Sequence, residues 1–264
     1  MGFVSAMIPL RTGAMVEASR FERELAAGWP ELPKPVWTPA SAGQWSCSVG
    51  DGDVVIAAMG APIPWSDLAP LCRAGRLWVD AESNLREHRD HLVVAVRTAG
   101  GPIEQAKFLT QICTAVLLGC EQALGVFWLS GSLLISSSIF REFAVTVMPE
   151  TLPLPIWIDV QAGPDAEGKT CGCTRGLAAF GHREIEAVDA QESWERLQER
   201  LYDLAGYVLE HGPVIADGDT VGDHASERIR VVYGASELGG EGEVIHLQYD
   251  RPGRRKWQLW GKRR

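Results

Sequence analysis

The chain has 264 residues, of which 46% are hydrophobic and 22% are charged, and this composition is typical of a folded globular protein and excludes a wholly disordered one. Its formal net charge is −9, but the charge is unevenly distributed. Residues 250–264 contain seven Lys or Arg residues and one acidic residue, Asp250, and therefore carry +6, which leaves −15 for residues 1–249. So acidic a body repels nucleic acid and favours a partner with a basic surface.

Membrane and secreted classes are also disfavoured by the sequence. The longest apolar segment, Ile112–Val126, is interrupted by Gly119 and Glu121 and falls short of the roughly 18 residues that span a bilayer. The first residues lack the basic region and apolar core of a signal peptide. We therefore expect a cytoplasmic protein with no membrane partner.

Six cysteines in a chain of this length predict reduced thiols that act as small apolar side chains. Cys171-Gly172-Cys173 is a single C-x-C with no second pair at ligand spacing, so it gives only a weak indication of zinc and favours strand or turn residues. No cofactor is expected, because neither a Walker loop nor a complete G-x-G-x-x-G is present.

The predicted elements alternate between strands and helices. The predicted helices are Ala18–Ala27, Pro102–Cys120, Ile139–Val147 behind a serine cap at 136–138, and Ser193–His211. The predicted strands are Phe3–Pro9, a hairpin over Trp45–Met59 that turns at residues 50–52, His91–Arg97, Leu124–Leu129, Leu154–Val160, one or two within 171–188, and a closing pair at Ile229–Val232 and Val244–Tyr249.

The last helix is the clearest element in the chain. Ser193 is a suitable N-cap, and Gly212-Pro213 is a suitable stop. Apolar residues at helical spacing predict a buried stripe: Trp194, Leu197, Leu201, Leu204, Ala205, Val208 and Leu209. Charged residues are assigned to the opposite, solvent face: Glu195, Arg196, Glu199, Arg200 and Asp203.

Together these elements predict an α+β fold of mainly antiparallel sheets with helices packed on one face, built as two ferredoxin-like halves. The prolines at 149–153 interrupt a helix end and a strand start, and they predict a boundary there. The expected organisation is an N-terminal α+β half at 1–149, a C-terminal α+β half at 150–249 and a basic tail at 250–264. The two halves could still share one sheet.

Two groups of polar residues are candidate sites. His88 and His91 form an H-x-x-H pair that could bind a metal with a third ligand such as Asp80 or Glu82, or take part in catalysis, but structural histidines are the favoured interpretation. Asp217 and Asp219 begin like a calcium loop, yet Arg228 stands where the twelfth-position glutamate should be. A turn held by aspartate side chains is therefore expected, with contact to a protein partner as the alternative.

Ten tryptophans offer candidate contacts with a partner. Trp65, Trp78, Trp128 and Trp157 adjoin apolar strands and are more often core residues than site residues. Packing is the favoured role of the rigid segment 61–65, but its Trp65 is also a candidate binding residue. Four further tryptophans have less assured burial and belong to a residue type enriched at binding hot spots: Trp29, Trp37, Trp257 and Trp260. The last two lie in the basic tail, which either stacks on nucleic-acid bases or, as we favour, stays solvated or docks on the acidic body.

An ordered set of short motifs resembles the domain-of-unknown-function 4261 (DUF4261) family of bacterial proteins over about Phe3 to Tyr249. The motifs are Ala61–Trp65 followed by Leu77-Trp78, His88–Val94, Leu124–Trp128, Leu152–Trp157 and His211–Gly222. The Cys171–Cys173 turn and the basic tail depart from the family pattern. The resemblance implies no established activity, but it implies an association with type VI secretion and polymorphic toxin loci.

The sequence therefore predicts a non-enzymatic protein-binding module, most concretely an immunity protein that neutralises a basic toxin or effector of an interbacterial secretion system. The expected contact residues are Trp65, Asp217, Asp219, Trp257 and Trp260. One alternative is an adaptor or chaperone that loads an effector. The other is a hydrolase or metal-dependent enzyme that uses His88 and His91 with Asp217 or Asp219.

Overall fold

The computed structural model describes residues 2–13, 16–39, 43–148, 150–222 and 227–249. The basic tail, with Trp257 and Trp260, lies outside these ranges.

The described residues form helices and two separate sheets. The helices are α1 (Ala18–Gly28), α2 (Trp65–Ala74), α3 (Ala81–Leu85), α4 (Pro102–Gly119), α5 (Ser137–Glu142), which continues as a π-helical turn over Phe143–Val147, α6 (Leu154–Trp157) and α7 (Trp194–His211). The strands are β1 (Val4–Leu10), β2 (Val36–Trp37), β3 (Gln44–Val49), β4 (Gly52–Met59), β5 (Asp90–Arg97), β6 (Gly125–Trp128), β7 (Leu133–Ser136), β8 (Asp159–Pro164), β9 (Thr170–Arg175), β10 (Ile185–Ala190), β11 (Thr220–Val221), β12 (Ile229–Ala235) and β13 (Glu243–Tyr249).

The first sheet has the order β2-β3-β4-β5-β1-β6-β7, and all its pairs are antiparallel. Alternate residues of β1, Ala6 and Ile8, are fully buried in the main core, where α1 and α4 pack. Gly52 lets α4 approach closely, since a Cβ atom there would lie 2.5 Å from the Phe108 ring. The central strands are thereby shielded from water on this face.

The opposite face of the first sheet carries a second, smaller apolar cluster. Met7 and Phe127 pack there against Leu68 of α2, Leu85 of α3 and Trp78. The helices α1 and α4 therefore pack on one face of the first sheet, as expected. The helices α2 and α3 depart from the expectation, because they cover part of the other face. The α+β class and the mainly antiparallel sheets are confirmed.

The second sheet has the order β11-β12-β13-β10-β9-β8, in which β10 and β13 run parallel and the other pairs are antiparallel. Helix α7 packs on β8 and β9, where a Cβ atom on Gly172 would lie 3.0 Å from Leu197 and Leu201. The path is a three-strand meander (β8-β9-β10), a helical crossover (α7) and a second three-strand meander (β11-β12-β13). Because this path differs from β-α-β-β-α-β, two ferredoxin-like halves are not shown.

Trp157 links the packing of the two sheets. Its fully buried ring stacks between Trp128 of β6, at 6.5 Å between centroids, and Phe180, at 5.7 Å. Its indole Nε1 donates to Thr110 Oγ1 of α4 at 2.9 Å. A single apolar core thus includes residues of both sheets. The division of the chain at 149 stays a prediction.

One local prediction is wrong, and a helix was not predicted. The segment predicted as a strand over 154–160 is a helical turn, α6, followed by β8, because Pro153 and Pro155 favour the start of a helix over strand pairing. Helix α2 was not predicted from the sequence, because the prolines at 62 and 64 and Pro70 within the helix obscured the periodicity of its apolar residues. Among the helices of the described ranges, none combines the length and apolar character needed to cross a membrane.

Candidate functional site

A groove lies between α7 and the loop that follows it, and it encloses about 380 Å³. We call it the α7 groove. It is lined by Arg200, Asp203, Leu204, Tyr207, Val214, Ile215, Asp219, Thr220, Val221 and Gly222.

The helix wall of the groove is set by its caps. Ser193 Oγ accepts from the Arg196 amide at 3.3 Å, which fixes the start of α7 as predicted. Gly212 ends the helix with a φ of +85°, a conformation that costs other residues more. The chain therefore turns sharply back along the side of α7.

The loop wall is held by the two predicted aspartates. Asp219 Oδ2 accepts from the Ala216 amide at 2.8 Å, and Asp217 Oδ1 accepts from the Tyr233 amide at 2.9 Å. The Tyr233 hydroxyl donates to the Ile215 carbonyl. Asp219 therefore stabilises the turn, as the favoured interpretation expects, and also lines the groove, whereas Asp217 fastens the loop to β12.

A buried charge network forms the base of the groove. The Arg200 guanidinium donates to Glu192 at 2.9 and 3.0 Å and to Glu227 at 2.7 Å, with the Arg200 side chain only 4% exposed. The Tyr249 hydroxyl also donates to Glu192. Burial alone would lower the pKa of Arg200, but the hydrogen bond and charge of Glu192 raise it; burial and the same carboxylate raise the pKa of Tyr249.

Arg200 corrects the predicted pattern of α7. It was assigned to the solvent face, but it lies on the buried side with Leu197 and Leu201, while Trp194, assigned to the buried stripe, is 40% exposed. The spacing contained a signal, because position 200 is one turn from Leu197 and therefore on the apolar arc. The Arg200 charge can be buried because Glu192 and Glu227 pair with it. Helical periodicity does not reveal that these two carboxylates lie near Arg200.

The mouth of the groove combines exposed apolar side chains with acidic ones. Tyr207 is 47% exposed and Val214 is 48% exposed, and the Tyr207 ring stacks on His211 at 4.6 Å. Asp203 and Asp219 lie beside them. Glu192 and Glu227, which both pair with Arg200, add two further carboxylates near the groove.

Trp65, a predicted contact residue, lies outside the groove lining. It begins α2 and is half-buried, with the Arg86 guanidinium 4.4 Å from its ring centroid. Arg86 in turn pairs with Glu82 at 2.7 Å. These contacts hold Trp65 against α3. Trp257 and Trp260, the other predicted aromatic contacts, fall outside the described residues.

His88 and His91 have structural partners. His88 Nε2 accepts from the Ile63 amide at 2.8 Å while its Nδ1 donates to the Leu85 carbonyl, and His91 Nδ1 donates to the Ala61 carbonyl at 2.8 Å. Both rings are buried. They anchor residues 61–63 beside the first sheet, while Asp217 and Asp219 bond within the second part of the chain, so the proposed enzyme residues do not share one hydrogen-bond network.

The thiols have the environment of structural cysteines. All six are free, and burial is the largest cause that raises each thiol pKa, to about 11 for Cys47. Cys171 and Cys173 lie in β9. Within the described part of the chain, no group of three or more His, Cys, Asp or Glu side chains could hold a metal ion.

Glu186 is a further residue that sequence reasoning missed. It is 2% exposed and accepts from the Ser236 hydroxyl and from the amides of Glu237 and Leu238, at 2.9 and 3.4 Å. A buried carboxylate with several donors is satisfied without a cation. Its role is to hold the hairpin loop between β12 and β13.

Comparison with known proteins gives one match. Residues 173–248 match the family described as Domain of unknown function (DUF4261), which confirms the resemblance for this part of the chain. No curated protein and no solved structure matches. The matched residues include α7, the following loop and most of the charge network, so the groove lies within the family's own segment.

Proposed function

We propose that this chain, which carries the DUF4261 segment at residues 173–248, is a non-enzymatic protein-binding module that contacts a basic partner through the α7 groove. The observation that carries the proposal is the pairing of exposed Tyr207 and Val214 with the carboxylates of Asp203 and Asp219 around one cavity. Binding hot spots combine an aromatic anchor with surrounding polar residues in this way.

The charge of the whole chain supports a basic partner. Residues 1–249 carry a formal charge of −15, which attracts a cationic protein over distances beyond direct contact. Such steering raises association rates by about 10–10³-fold at low salt. The acidic body brings the partner to the groove, and Tyr207 supplies apolar contact area.

In its most concrete form, the proposed protein is a cytoplasmic immunity protein that occludes a toxin of an interbacterial, type VI secretion system. The association with toxin loci that the family resemblance implies supports this form, as does a groove that offers binding surface. An adaptor that loads the same effector would use similar contacts, and it differs only in leaving the effector active.

Affinity capture tests the binding proposal. The tagged full chain and its Asp203→Lys, Tyr207→Ala double variant are used to capture proteins from the organism that encodes the chain, and the captured proteins are quantified by mass spectrometry. We expect one basic partner at near-equal amount with the native chain and at least a tenfold loss with the double variant. Glu87→Lys, an exposed charge reversal after α3, is the control and should capture normally.

The activity of the captured protein then separates immunity from adaptor function. Its expression alone should arrest growth, and co-expression of the native chain, but not of the double variant, should restore it. A partner that remains toxic when bound supports the adaptor form. Equal capture by the native and doubly substituted chains would refute the α7 groove as the binding surface.

A further inference from the structure

We propose that a small, uncharged, apolar molecule with one hydrogen-bond acceptor binds in a cavity at the end of the first sheet, where the indole of Trp128 donates to it. The cavity encloses about 310 Å³ between the start of β1, the first turns of α4, the end of β6 and the turn at 177–180. We call it the Trp128 cavity. None of its described lining residues lines the α7 groove, so this inference does not depend on the proposed function.

The Trp128 cavity has a buried apolar floor and an open mouth. At its mouth, Ser130 and Ala179 are exposed to solvent. The floor consists of four buried side chains: Ala106 and Leu109 of α4, Trp128 of β6, and Phe180. Sites for small molecules commonly have this form, in which an apolar floor carries a few polar groups and remains reachable from water.

Trp128 supplies a hydrogen-bond donor that the fold does not use. Its side chain lies in the wall of the cavity and is 2% exposed, and its buried Nε1 has no acceptor among the described residues. Buried indole N–H groups are usually paired, as Trp157 Nε1 is with Thr110 Oγ1 at 2.9 Å. An unpaired buried donor destabilises the folded state, so a ligand whose acceptor reaches Nε1 would gain both this hydrogen bond and apolar contact.

The volume and the lining of the cavity define the class of ligand. An apolar cavity of about 150 Å³ binds benzene, so a cavity of about 310 Å³ suits a molecule of roughly twice that size, such as two fused rings. None of the described lining residues carries a charge, and burial of a charged group without a partner is unfavourable. The expected ligand is therefore an uncharged two-ring compound with a single carbonyl or ether oxygen.

Titration of the full chain with the ketone indanone and with its parent hydrocarbon indane tests this inference. The two probes share one fused-ring skeleton and differ in the carbonyl. Two-dimensional NMR follows the indole N–H resonances, and Trp128→Phe identifies the one that belongs to Trp128. We expect indanone to shift this resonance saturably and to bind about fivefold more tightly than indane, because only indanone accepts a hydrogen bond. Trp128→Phe should bind the two probes equally.

Substitutions at the floor and the mouth locate the bound probe. Ala106→Leu fills part of the floor and should weaken indanone binding at least tenfold. Ala179→Leu narrows the mouth at an exposed position, so it should weaken binding without disturbing the core, even if a floor variant fails to fold. Ala178→Leu is the matched control, because Ala178 is also exposed but does not line the cavity, and it should bind normally. Circular dichroism melts report whether each variant is folded.

Absence of saturable indanone binding by the native chain would overturn the inference. Equal binding by the native chain and Ala179→Leu would also overturn it, because the probe would then lie outside the cavity. Equal affinity of the native chain for indanone and indane would refute Trp128 as the donor. Partner capture is measured separately, so failure of this inference is distinguishable from failure of the proposed function.

Discussion

Arg200 shows how one buried charge organises the wall of the α7 groove. Its guanidinium bridges Glu192, just before α7, and Glu227, just before β12, so the starts of both elements depend on one side chain. Removal of one member of a buried ion pair leaves the remaining charges uncompensated, which costs more than the intact pair contributes.

We therefore predict that Arg200→Met lowers the free energy of unfolding by about 3 kcal/mol, the lower end of the range for such pairs, since Glu227 is partly exposed and stays hydrated. Urea denaturation monitored by circular dichroism measures this change. Arg196→Met, on the exposed face of the same helix, should cost less than about 1 kcal/mol. Equal effects of the two substitutions would contradict a buried role for Arg200.

Asp159 lowers the free energy of unfolding by an amount that depends on pH. Burial raises its pKa above the usual 3.8, partly offset by the donor Gln161. A raised carboxyl pKa means that the folded state binds the proton more readily, so stability falls as pH rises from 3.8 through the folded-state pKa.

Asp159→Asn should accordingly stabilise the protein at pH 7, because it removes the buried charge and retains an acceptor for Gln161. The gain should shrink as pH falls through the folded-state pKa and below 3.8, where the carboxyl becomes protonated in the folded and the unfolded state alike. Thermal melts of both proteins across this pH range test the prediction. A difference in melting temperature that does not change with pH would contradict it.

At the residue scale, the sequence predicted short-range roles better than long-range ones. The turn function of Asp219 followed from local chemistry, since its bond to the Ala216 amide lies within the glycine-punctuated loop, whereas the bond of Asp217 to Tyr233 of β12 did not. Arg200 could not be identified, because Glu227 is brought to it by the pairing of distant strands. Trp65 was predicted to contact a partner. The guanidinium that packs over its ring belongs to Arg86, at the end of a neighbouring helix that was not predicted.

Elements with clear periodicity and caps were predicted almost to the residue. α7 begins after Ser193 and ends before Gly212, and α4 begins at Pro102, as expected. β3 and β4 form the predicted hairpin. By contrast, the prolines around α2 and α6 are compatible with both helix starts and strand ends, so the local sequence does not decide between them.

The cap of α7 gives a prediction at the element scale. Ser193→Ala removes the acceptor for the Arg196 amide and should lower the free energy of unfolding by about 1 kcal/mol. Ser193→Asp keeps an acceptor and adds negative charge at the helix N-terminus, so it should preserve stability. Guanidinium denaturation of both variants checks this, and equal loss in both would show that the cap bond contributes nothing.

For the whole molecule, the order of the strands could not be predicted, because pairing such as that of β1 with β5 joins residues at least 80 positions apart. The acidic charge of the body followed directly from the composition. The connection between the sheets depends on Trp157, whose ring was expected in a core but whose partners on both sides were not foreseen.

Trp157→Phe should lower stability by about 1–3 kcal/mol, because it leaves the Thr110 hydroxyl without its indole donor and reduces the stacked area. Hydrogen exchange should show faster exchange in both β5 and β10, since the two sheets share one core. Trp194→Phe, at an exposed position of α7, should have little effect. Faster exchange in only one sheet would show that the sheets unfold independently.

The position of Trp157 also decides how baits for interaction screens should be cut. The DUF4261 match begins at residue 173, inside β9, so a bait trimmed to residues 173–248 would lack β8, the rest of β9 and the tryptophan against which Phe180 stacks. Such a bait would expose core surface and collect nonspecific binders. A bait that runs from Val4 through Tyr249 keeps both sheets, and its hits would report on the groove rather than on an unfolded fragment.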